Sequence, residues 1–257
     1  MGFDHRKRIP GRGWWPVFWW WVVCSMLVRI YLCVCYRLKL LHKDRVPPDG
    51  PAIYVSNHQS FIDPMALGLL THARPFTPMV RQTLFDSRFG GWSMRGLRAI
   101  PIDREKGEAG PMKAALAELE AGRRLIIFPE GTRSRDGAMK PFKRGMLLLI
   151  KRGKAPVVPM AVEGMFDAWP PGRSRPKLSG RIMAMCGEPI EYDDLMKDGN
   201  DAALERLKRE IETMRMELRR RIRKRTRGRL PAPGPGDVPY WQRAGDAEGA
   251  ADEGDDG

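Results

Sequence analysis

Residues 51–70 read PAIYVSNHQSFIDPMALGLL, and this stretch carries the marks of a strand, a loop and a helix in that order. The apolar, β-branched run at 52–56 is typical of a buried strand. Asp63 followed by Pro64 is typical of a helix N-cap and the first helical residue. His58 therefore falls on a strand-to-helix loop, which is where α/β folds place much of their chemistry.

The pair formed by His58 and Asp63 has two interpretations. A loop that bends back over the helix start brings the carboxylate to the imidazole, and the two then act together as a general base. The alternative is an ordinary loop histidine beside a helix cap, which is the commoner use of each residue on its own. The pair therefore needs support from the rest of the chain.

The same alternation of element types continues from Pro51 to about Pro189. Strands are predicted at 52–56, 76–80, 99–102, 124–128, 156–162 and 181–186. Helices are predicted at 64–72, 81–89, 108–121 and 143–152. This order predicts an α/β fold with a central, mostly parallel sheet flanked by helices.

Residues 14–36 form an apolar stretch with five tryptophans at its front. As a helix it would be roughly 34 Å long, which is enough to cross a bilayer. Clustered tryptophan favours the membrane–water interface, whereas Arg29 disfavours a simple span. We therefore predict a membrane-anchoring helix and leave two placements open, across the membrane or in its interface. A buried core helix is the alternative.

The net charge of +14 over 257 residues indicates an anionic partner, which is nucleic acid, anionic lipid, or an acidic cofactor or carrier. The segment beyond Pro231 has seven acidic residues against one arginine, so the rest of the chain is more basic still. The cysteines lack metal-ligand spacing, and we predict neither a metal site nor a bound cofactor. Reduced, structural thiols fit a protein that faces the cytoplasm.

Three segments are predicted along the chain. Residues 1–46 comprise the basic N-terminus and the hydrophobic anchoring helix, and residues 47–229 comprise an α/β domain that ends in a basic helix over 200–227. The arginine-rich end of that helix either contacts anionic lipid or is simply solvated. Residues 230–257 are acidic and rich in Pro and Gly, and they are predicted to be disordered.

Polar groups follow an apolar strand at residues 100–104, which read IPIDR. This places Arg104 where an open α/β sheet forms its crevice, and an arginine there is suited to hold a phosphate. Further along, the apolar run 157–161 contains an interior proline, Pro159. A proline in such a run suggests an edge strand or a bulge.

A stronger signal comes from residues 125–134, which read LIIFPEGTRS. The apolar strand leads directly into Pro-Glu-Gly and then into a hydroxyl, an arginine and a second hydroxyl. Gly131 permits a tight turn or a close approach of backbone. Thr132, Arg133 and Ser134 all offer anion-binding groups, and a structural turn alone would not need that combination.

These blocks, in this order, resemble those of the glycerolipid acyltransferases typified by 1-acyl-glycerol-3-phosphate acyltransferase. The first family block, a His and an Asp separated by four residues, is matched at 57–63. The second is matched at 96–104, the third by FPEGTRS at 128–134, and the fourth at 157–161. The resemblance covers neither the basic C-terminal helix nor the acidic tail.

The resemblance implies transfer of a fatty acyl group from acyl-CoA or an acyl carrier protein to the free hydroxyl of 1-acyl-glycerol-3-phosphate. The product would be phosphatidic acid, and the activity would belong to phospholipid synthesis. His58 would be the general base and Asp63 would orient it. By similarity, the substrate-binding residues would be Arg104, Glu130, Gly131, Thr132, Arg133, Ser134 and Pro159.

Within that set, the two arginines would hold the lysolipid phosphate, Glu130 would position the glycerol or the loop, and Pro159 would shape the wall near the acyl donor. The implied partners are membrane lipid, lysophosphatidate and the thioester donor, without nucleic acid. The implied location is the cytoplasmic face of the cell membrane.

Two alternatives from different classes stay open. One is an acyltransferase that acts on another lysolipid, including an amino-acid-derived lyso-lipid. The other is a membrane-tethered module that binds anionic ligands without catalysis. The second would need arginines in a recognised binding fold or interleaved with aromatic residues, and the globular part shows neither.

Overall fold

The structure is a computed structural model that describes residues 14–71, 76–96, 99–102 and 109–243. Within these ranges one sheet contains seven strands. In chain order they are β1 (Lys39–Leu41), β2 (Ala52–Ser56), β3 (Phe76–Arg81), β4 (Ile100–Ile102), β5 (Arg124–Ile127), β6 (Val157–Glu163) and β7 (Met183–Cys186).

Helices connect and cover these strands. In chain order they are α1 (Trp14–Tyr36), α2 (Asp63–Leu70), α3 (Arg88–Gly96), α4 (Ala109–Glu120), α5 (Gly145–Gly153), α6 (Met165–Ala168), α7 (Tyr192–Met196) and α8 (Asn200–Thr226). Short 3-10 turns also occur, among them Pro235–Asp237 and Tyr240–Gln242 near the end of the described chain.

The strands lie in the order β1-β7-β6-β2-β5-β3-β4. All neighbouring pairs are parallel except β6 and β7, which are antiparallel. The carboxyl ends of β2, β5 and β6 therefore meet at one edge of the sheet, where a parallel sheet forms its crevice. The prediction of an α/β fold with a mostly parallel central sheet flanked by helices is confirmed.

Helices cover both faces of the sheet. On one face, Ile53 and Val55 of β2 share a core with apolar residues of α4, α5 and α8. On the other face, Tyr54 of β2 and Ile126 of β5 share a core with residues of α1 and α2. Because successive strand residues alternate between the two cores, β2 is apolar from Ala52 to Val55, and every one of its side chains is buried.

Several elements before α8 differ from the predicted ones, and the short helices α6 and α7 lie outside the predicted helices. The helix predicted at 81–89 begins later, at Arg88, because Gln82–Phe85 forms a 3-10 turn instead. The sequence also gave no sign of β1, which is only three residues long and pairs with the distant β7. Short strands held by long-range pairing leave little periodicity in the sequence.

Strand β6 lies inside the sheet between β7 and β2, so the prediction of an edge strand or a bulge at Pro159 is wrong. Its register against β2 is continuous, with Val55 opposite Pro159. The Pro159 carbonyl accepts a hydrogen bond from Gly187 N–H at 2.8 Å. In a strand, the nitrogen and the carbonyl of one residue point to the same side. The Pro159 nitrogen therefore points toward the chain just beyond Cys186, where β7 has already ended.

Helix α1 lies against the domain through part of its surface. Leu32 and Tyr36 are fully buried, and the Tyr36 hydroxyl donates to the Lys177 carbonyl at 2.6 Å. Among the described residues, no helix has the length and apolar character that crossing a membrane requires. Anchoring by residues 14–36 stays a prediction.

The C-terminal residues 230–243, called the clasp below, are ordered and packed against α8, which corrects the prediction of disorder from residue 230. The Tyr240 side chain is buried, and its backbone N–H donates to Glu212 of α8 at 3.2 Å. A Pro- and Gly-rich composition suggested disorder, but here it supplies backbone carbonyls to the arginines of α8. Residues 244–257 lie outside the described ranges.

Candidate active site

The loop after β2 brings the predicted pair together. His58 Nδ1 and Asp63 Oδ2 are 2.8 Å apart, and the Asp63 carboxylate is fully buried. Asp63 is the first residue of α2 rather than its cap, which is Ile62. Its side chain turns back toward the loop instead of capping the helix, which is the bend that a base–carboxylate pair requires.

Backbone amides fix the Asp63 carboxylate. The N–H groups of Gln59 and Ser60 donate to Oδ2 at 2.6 and 2.8 Å, beside the His58 ring nitrogen. The other oxygen, Oδ1, is buried and has no hydrogen-bond partner among the described residues. A carboxylate held in place by several donors is well placed to keep the imidazole in one tautomer.

The His58 ring is partly open to solvent, with a side-chain exposure of 19%. It stacks on the Phe128 ring at the end of β5, with centroids 4.1 Å apart and planes 20° apart. Because Asp63 occupies Nδ1, the nitrogen left to accept a proton is Nε2. Stacking on one face and a carboxylate at one edge together fix the orientation of the ring.

The residues on either side of His58 tie the loop to β6 and α6. The Asn57 amide makes a reciprocal pair with the Val162 backbone, at 3.0 and 2.9 Å. The Gln59 side chain accepts a hydrogen bond from Met165 N–H at 3.2 Å and donates to the Glu163 carboxylate at 3.1 Å. Both side chains are buried, so the loop is held on both sides of the imidazole.

Glu130 lies beneath the loop and does not face solvent. One carboxylate oxygen accepts His58 N–H at 2.8 Å and the other accepts Lys140 N–H at 3.1 Å. Burial raises the pKa of Glu130 to about 8 from its ordinary value of 4.5, although these two backbone donors oppose the shift. Of the two roles suggested for Glu130, the contacts favour positioning the loop.

Arg133 is the cationic group of the site. Its guanidinium stacks over the Phe61 ring at 3.6 Å from the centroid, and one of its nitrogens, Nη1, is buried without a hydrogen-bond partner among the described residues. Partial burial and the nearby Arg81 lower the pKa of Arg133, whereas Asp63 opposes this shift. An arginine with an unused donor next to a second arginine attracts an anion.

The other residues of the Pro-Glu-Gly-Thr-Arg-Ser block build the turn. Gly131 has a φ of 67°, a conformation that favours glycine. The Thr132 hydroxyl accepts a hydrogen bond from Lys140 Nζ at 3.0 Å. The Ser134 hydroxyl is buried and donates to Asp136 at 3.0 Å, while its N–H donates to the His58 carbonyl at 2.7 Å. A substrate role for these three residues stays a prediction.

Two predicted site residues are not among the contacts of this cluster in the described part of the chain, each for a different reason. Arg104 lies outside the described residues, and the described part of β4 ends at Ile102, which is paired with Arg81. Pro159 is buried within β6 opposite Val55. Their predicted roles at the phosphate and at the acyl donor therefore remain predictions.

Several residues of the cluster could not be identified from the sequence. Phe61 and Phe128 belong to the motifs at 57–63 and 128–134, but their contacts with Arg133 and His58 depend on the tertiary fold. Arg81 directly follows the strand predicted over 76–80, and a charged residue after a strand is the signal that could have identified it.

Comparisons with known proteins agree with this arrangement. A family profile described as Acyltransferase matches residues 37–163. A 1-acyl-sn-glycerol-3-phosphate acyltransferase of Bacillus subtilis is 27% identical over 171 residues, which cover 66% of this chain and 82% of that protein. A chloroplastic 1-acyl-sn-glycerol-3-phosphate acyltransferase of Brassica napus is 31% identical, and the match covers 65% of this chain but 49% of that longer protein.

The fold also matches a solved structure. The crystal structure of the 1-acyl-sn-glycerophosphate (LPA) acyltransferase PlsC from Thermotoga maritima superposes with a TM-score of 0.66 at 22% identity, covering 81% of this chain and 85% of that one. The matched family region contains the His58–Asp63 pair and the whole block at 128–134. The chain therefore belongs to the acyltransferase family and is an enzyme of the glycerolipid acyltransferase type.

Proposed function

We propose that this enzyme transfers an acyl group from a thioester to the free hydroxyl of 1-acyl-glycerol-3-phosphate, which yields phosphatidic acid. The observation that carries the proposal is the 2.8 Å contact between His58 Nδ1 and the buried Asp63 carboxylate, at the carboxyl end of β2. The relatives named as 1-acyl-sn-glycerol-3-phosphate acyltransferases support the choice of acceptor.

In the proposed reaction, His58 Nε2 takes the proton of the acceptor hydroxyl as its oxygen attacks the thioester carbonyl. Asp63 stabilises the imidazolium that forms. The new C–O ester bond replaces the C–S bond, and the leaving thiolate takes the proton back from His58. The nucleophile belongs to the substrate, so no covalent enzyme intermediate is needed. General-base assistance of this kind contributes about 10²–10⁴-fold to the rate.

We assign the acceptor phosphate to Arg133, supported by Arg81. The buried Nη1 of Arg133 has no partner among the described residues and is a donor that a phosphate oxygen would satisfy. Phe61 holds the guanidinium plane in place from one side. The hydroxyl that reacts would then lie between the phosphate group and the His58 ring. Arg104 is assigned to the same phosphate from the sequence alone.

We also propose that the enzyme works at a membrane surface, on its cytoplasmic side, where a single-chain lipid is available. The described part of α1 buries Leu32 and Tyr36 but exposes an apolar stripe made of Met26, Leu27, Ile30 and Val34. Among the described residues, Leu178 is the most exposed large apolar side chain, at 76%. It lies in a loop joined to α1 by a hydrogen bond from Gly180 N–H to the Cys35 carbonyl.

The loop that carries Leu178 adds positive charge to the apolar stripe. Arg173, Arg175 and Lys177 are all exposed within it. Basic residues beside exposed apolar side chains favour an interface with anionic lipid headgroups. The membrane is therefore proposed to meet the protein along α1 and this loop.

The test is an acyl-transfer assay with the full chain in detergent micelles. The two donors are acyl-CoA and the acyl thioester of acyl carrier protein. Each is paired with lysophosphatidate, with a lysophospholipid that has a different headgroup, and with an amino-acid-derived lyso-lipid. We expect phosphatidic acid from lysophosphatidate with at least one donor. Turnover of another lysolipid without turnover of lysophosphatidate would show that the acceptor is that other lysolipid. The comparison of the two donors identifies the thioester that the enzyme uses.

A further inference from the structure

The buried ion cluster lies behind the loop of His58 and consists of Glu163, Glu212, Arg215 and Arg219, all nearly inaccessible to solvent. Arg219 Nη1 donates to Glu163 at 2.7 Å, and Arg215 Nη1 donates to the same carboxylate at 3.2 Å. Arg215 also makes a two-pronged contact with Glu212, at 2.6 and 2.8 Å. Such groups are stable when buried only if their partners hold them closely.

The cluster touches the loop of His58 through one side chain. The Glu163 carboxylate accepts a hydrogen bond from Gln59 Nε2 at 3.1 Å. Gln59 is the residue after His58, and its N–H donates to the Asp63 carboxylate at 2.6 Å. A shift of Glu163 would therefore be transmitted to both members of the proposed base pair.

The clasp closes the other side of the cluster. The Gly236 carbonyl accepts from Arg215 at 2.9 Å, the Ala232 carbonyl accepts from Arg219 at 2.9 Å, and Asp237 accepts from Arg219 Nε at 2.6 Å. Without the clasp, both buried arginines would lose acceptors, and the two guanidinium groups would have to turn away from Glu163 or admit water.

The clasp also touches the loop of Glu130 directly. Arg243 Nη2 donates to the Met139 carbonyl at 2.6 Å. Gly236 packs so tightly on this loop that an added Cβ would lie 2.8 Å from the Gly137 carbonyl oxygen. That same carbonyl accepts a hydrogen bond from Gln59 at 3.3 Å. Two independent routes thus lead from the clasp to Gln59.

We propose that the clasp, residues 230–243, is a positioning element of the active site. It holds the His58 ring and the Asp63 carboxylate in their relative positions through a chain of contacts made by Asp237, Arg219, Glu163 and Gln59. The clasp lies outside the region matched by the family profile. The role rests on the proposed function for its effect on rate, and it makes a separate claim about the order of the loop. None of these residues is assigned to the substrate, so they position the base without taking part in the chemistry.

The first experiment compares Asp237→Asn with a matched control, Asp194→Asn. Both aspartates pair with two cationic side chains, but Asp194 is a surface residue bonded to Lys197 and Arg206. Well below the unfolding temperature, we expect kcat of Asp237→Asn to fall about 10-fold or more with an unchanged acceptor KM, since small misplacements of a catalytic group cost this much. Asp194→Asn should keep the wild-type kcat.

The second experiment compares deletion of residues 230–257 with deletion of residues 244–257, and its readout does not depend on activity. Hydrogen exchange is measured at the Gln59 and Ser60 amides, which donate to Asp63. Loss of the clasp should accelerate exchange at these amides, and the shorter deletion should not. The same measurement is made on Asp237→Asn, which retains the whole chain and therefore decides the matter if the longer deletion unfolds.

Wild-type kcat together with wild-type exchange in Asp237→Asn would overturn the positioning role. A loss of kcat in Asp237→Asn that is accompanied by faster exchange throughout the sheet would also overturn it, because that pattern reports general destabilisation. Failure of the proposed function has a different signature, namely no acyl transfer by the intact chain. The exchange measurement would still test the clasp in that case.

Discussion

Two groups of charged side chains contact the loop at His58, and they use their hydrogen bonds differently. In the reaction site, Asp63 Oδ1 and Arg133 Nη1 are buried and have no partner among the described residues. In the buried ion cluster, every nitrogen of the Arg215 guanidinium has an acceptor. A buried donor or acceptor without a hydrogen bond costs free energy unless a ligand supplies the partner. A network in which every group is hydrogen-bonded instead stabilises the fold.

Groups that await a substrate are thereby distinguished from groups that hold the scaffold, although both contain buried polar atoms. This difference makes opposite predictions for the two sets. A substitution in the reaction site should change catalysis or substrate affinity and leave unfolding almost unchanged. A substitution in the buried ion cluster should first lower the free energy of unfolding.

The largest effect is expected for His58→Ala. Acyl transfer should fall about 10²–10⁴-fold, because the acceptor hydroxyl loses its general base. Thermal unfolding should change little, since the side chain is partly exposed. The matched control is His42→Asn, which changes an exposed histidine in the left-handed conformation that Asn tolerates. Wild-type turnover by His58→Ala, measured with saturating lysophosphatidate and donor, would remove His58 from the mechanism.

The next effect belongs to the buried ion cluster. Arg215→Ala leaves Glu163 and Glu212 with fewer cationic partners in a fully buried place. Breaking a buried ion pair by removing one partner typically costs about 3–5 kcal/mol. We expect a loss of this size in the free energy of unfolding, measured by urea titration. The exposed Arg206, which pairs with Asp194 at the surface, gives the control variant Arg206→Ala. Equal losses of free energy for Arg215→Ala and Arg206→Ala would mean that the buried ion cluster stabilises the fold no more than a surface ion pair does.

Arg133→Ala tests the opposite side of the comparison. Removal of a guanidinium that binds the acceptor phosphate should cost about 1.5–3 kcal/mol, which is a rise of roughly 10- to 100-fold in the acceptor KM. The neighbouring Arg135 is exposed, so Arg135→Ala is the control. Initial rates over a range of lysophosphatidate concentrations measure both. An unchanged KM in Arg133→Ala would assign the phosphate to other residues.

Much of the site could be predicted from the sequence because its residues are local. The contact between His58 and Asp63 needs only a loop that turns over a helix start, and both residues belong to one short stretch. The strand-then-glycine pattern at 125–134 likewise reports a turn at a sheet edge, as the φ of Gly131 bears out. In such places chain order and spatial order nearly coincide.

The rest could not be predicted because it depends on tertiary contacts. The stacking of Arg133 on Phe61 joins two separate loops. The clasp has the composition of a disordered tail, and it is held by bonds from Arg215 and Arg219 to its own backbone carbonyls, which any residue supplies. A hydrogen bond to a backbone carbonyl leaves no mark in the amino-acid sequence of the acceptor.

Glu130 sharpens the comparison because it is as buried as Glu163 but has no cationic partner on its carboxylate among the described contacts. Instead, its oxygens accept two backbone N–H groups. Burial raises the pKa of Glu130 to about 8 from 4.5, so between these two pH values the folded chain keeps a proton that the unfolded chain has released. The stability contributed by this group is therefore complete below the lower value and is lost as the pH rises through the upper one.

We therefore expect the free energy of unfolding of the wild-type protein to fall, relative to that of Glu130→Gln, by up to about 1.4 kcal/mol per pH unit. Urea titrations at several pH values between about pH 5 and about pH 8 measure this slope. The control is Glu191→Gln, at an exposed position before α7. This variant retains Glu130, so the free energy of unfolding of the wild type relative to that of Glu191→Gln should not change with pH. A slope of zero or of opposite sign, for the wild type relative to Glu130→Gln, would mean that Glu130 is ionised in the folded protein. Its two N–H donors would then outweigh the effect of burial, and Glu130 would belong with the charged, fully hydrogen-bonded scaffold of Glu163.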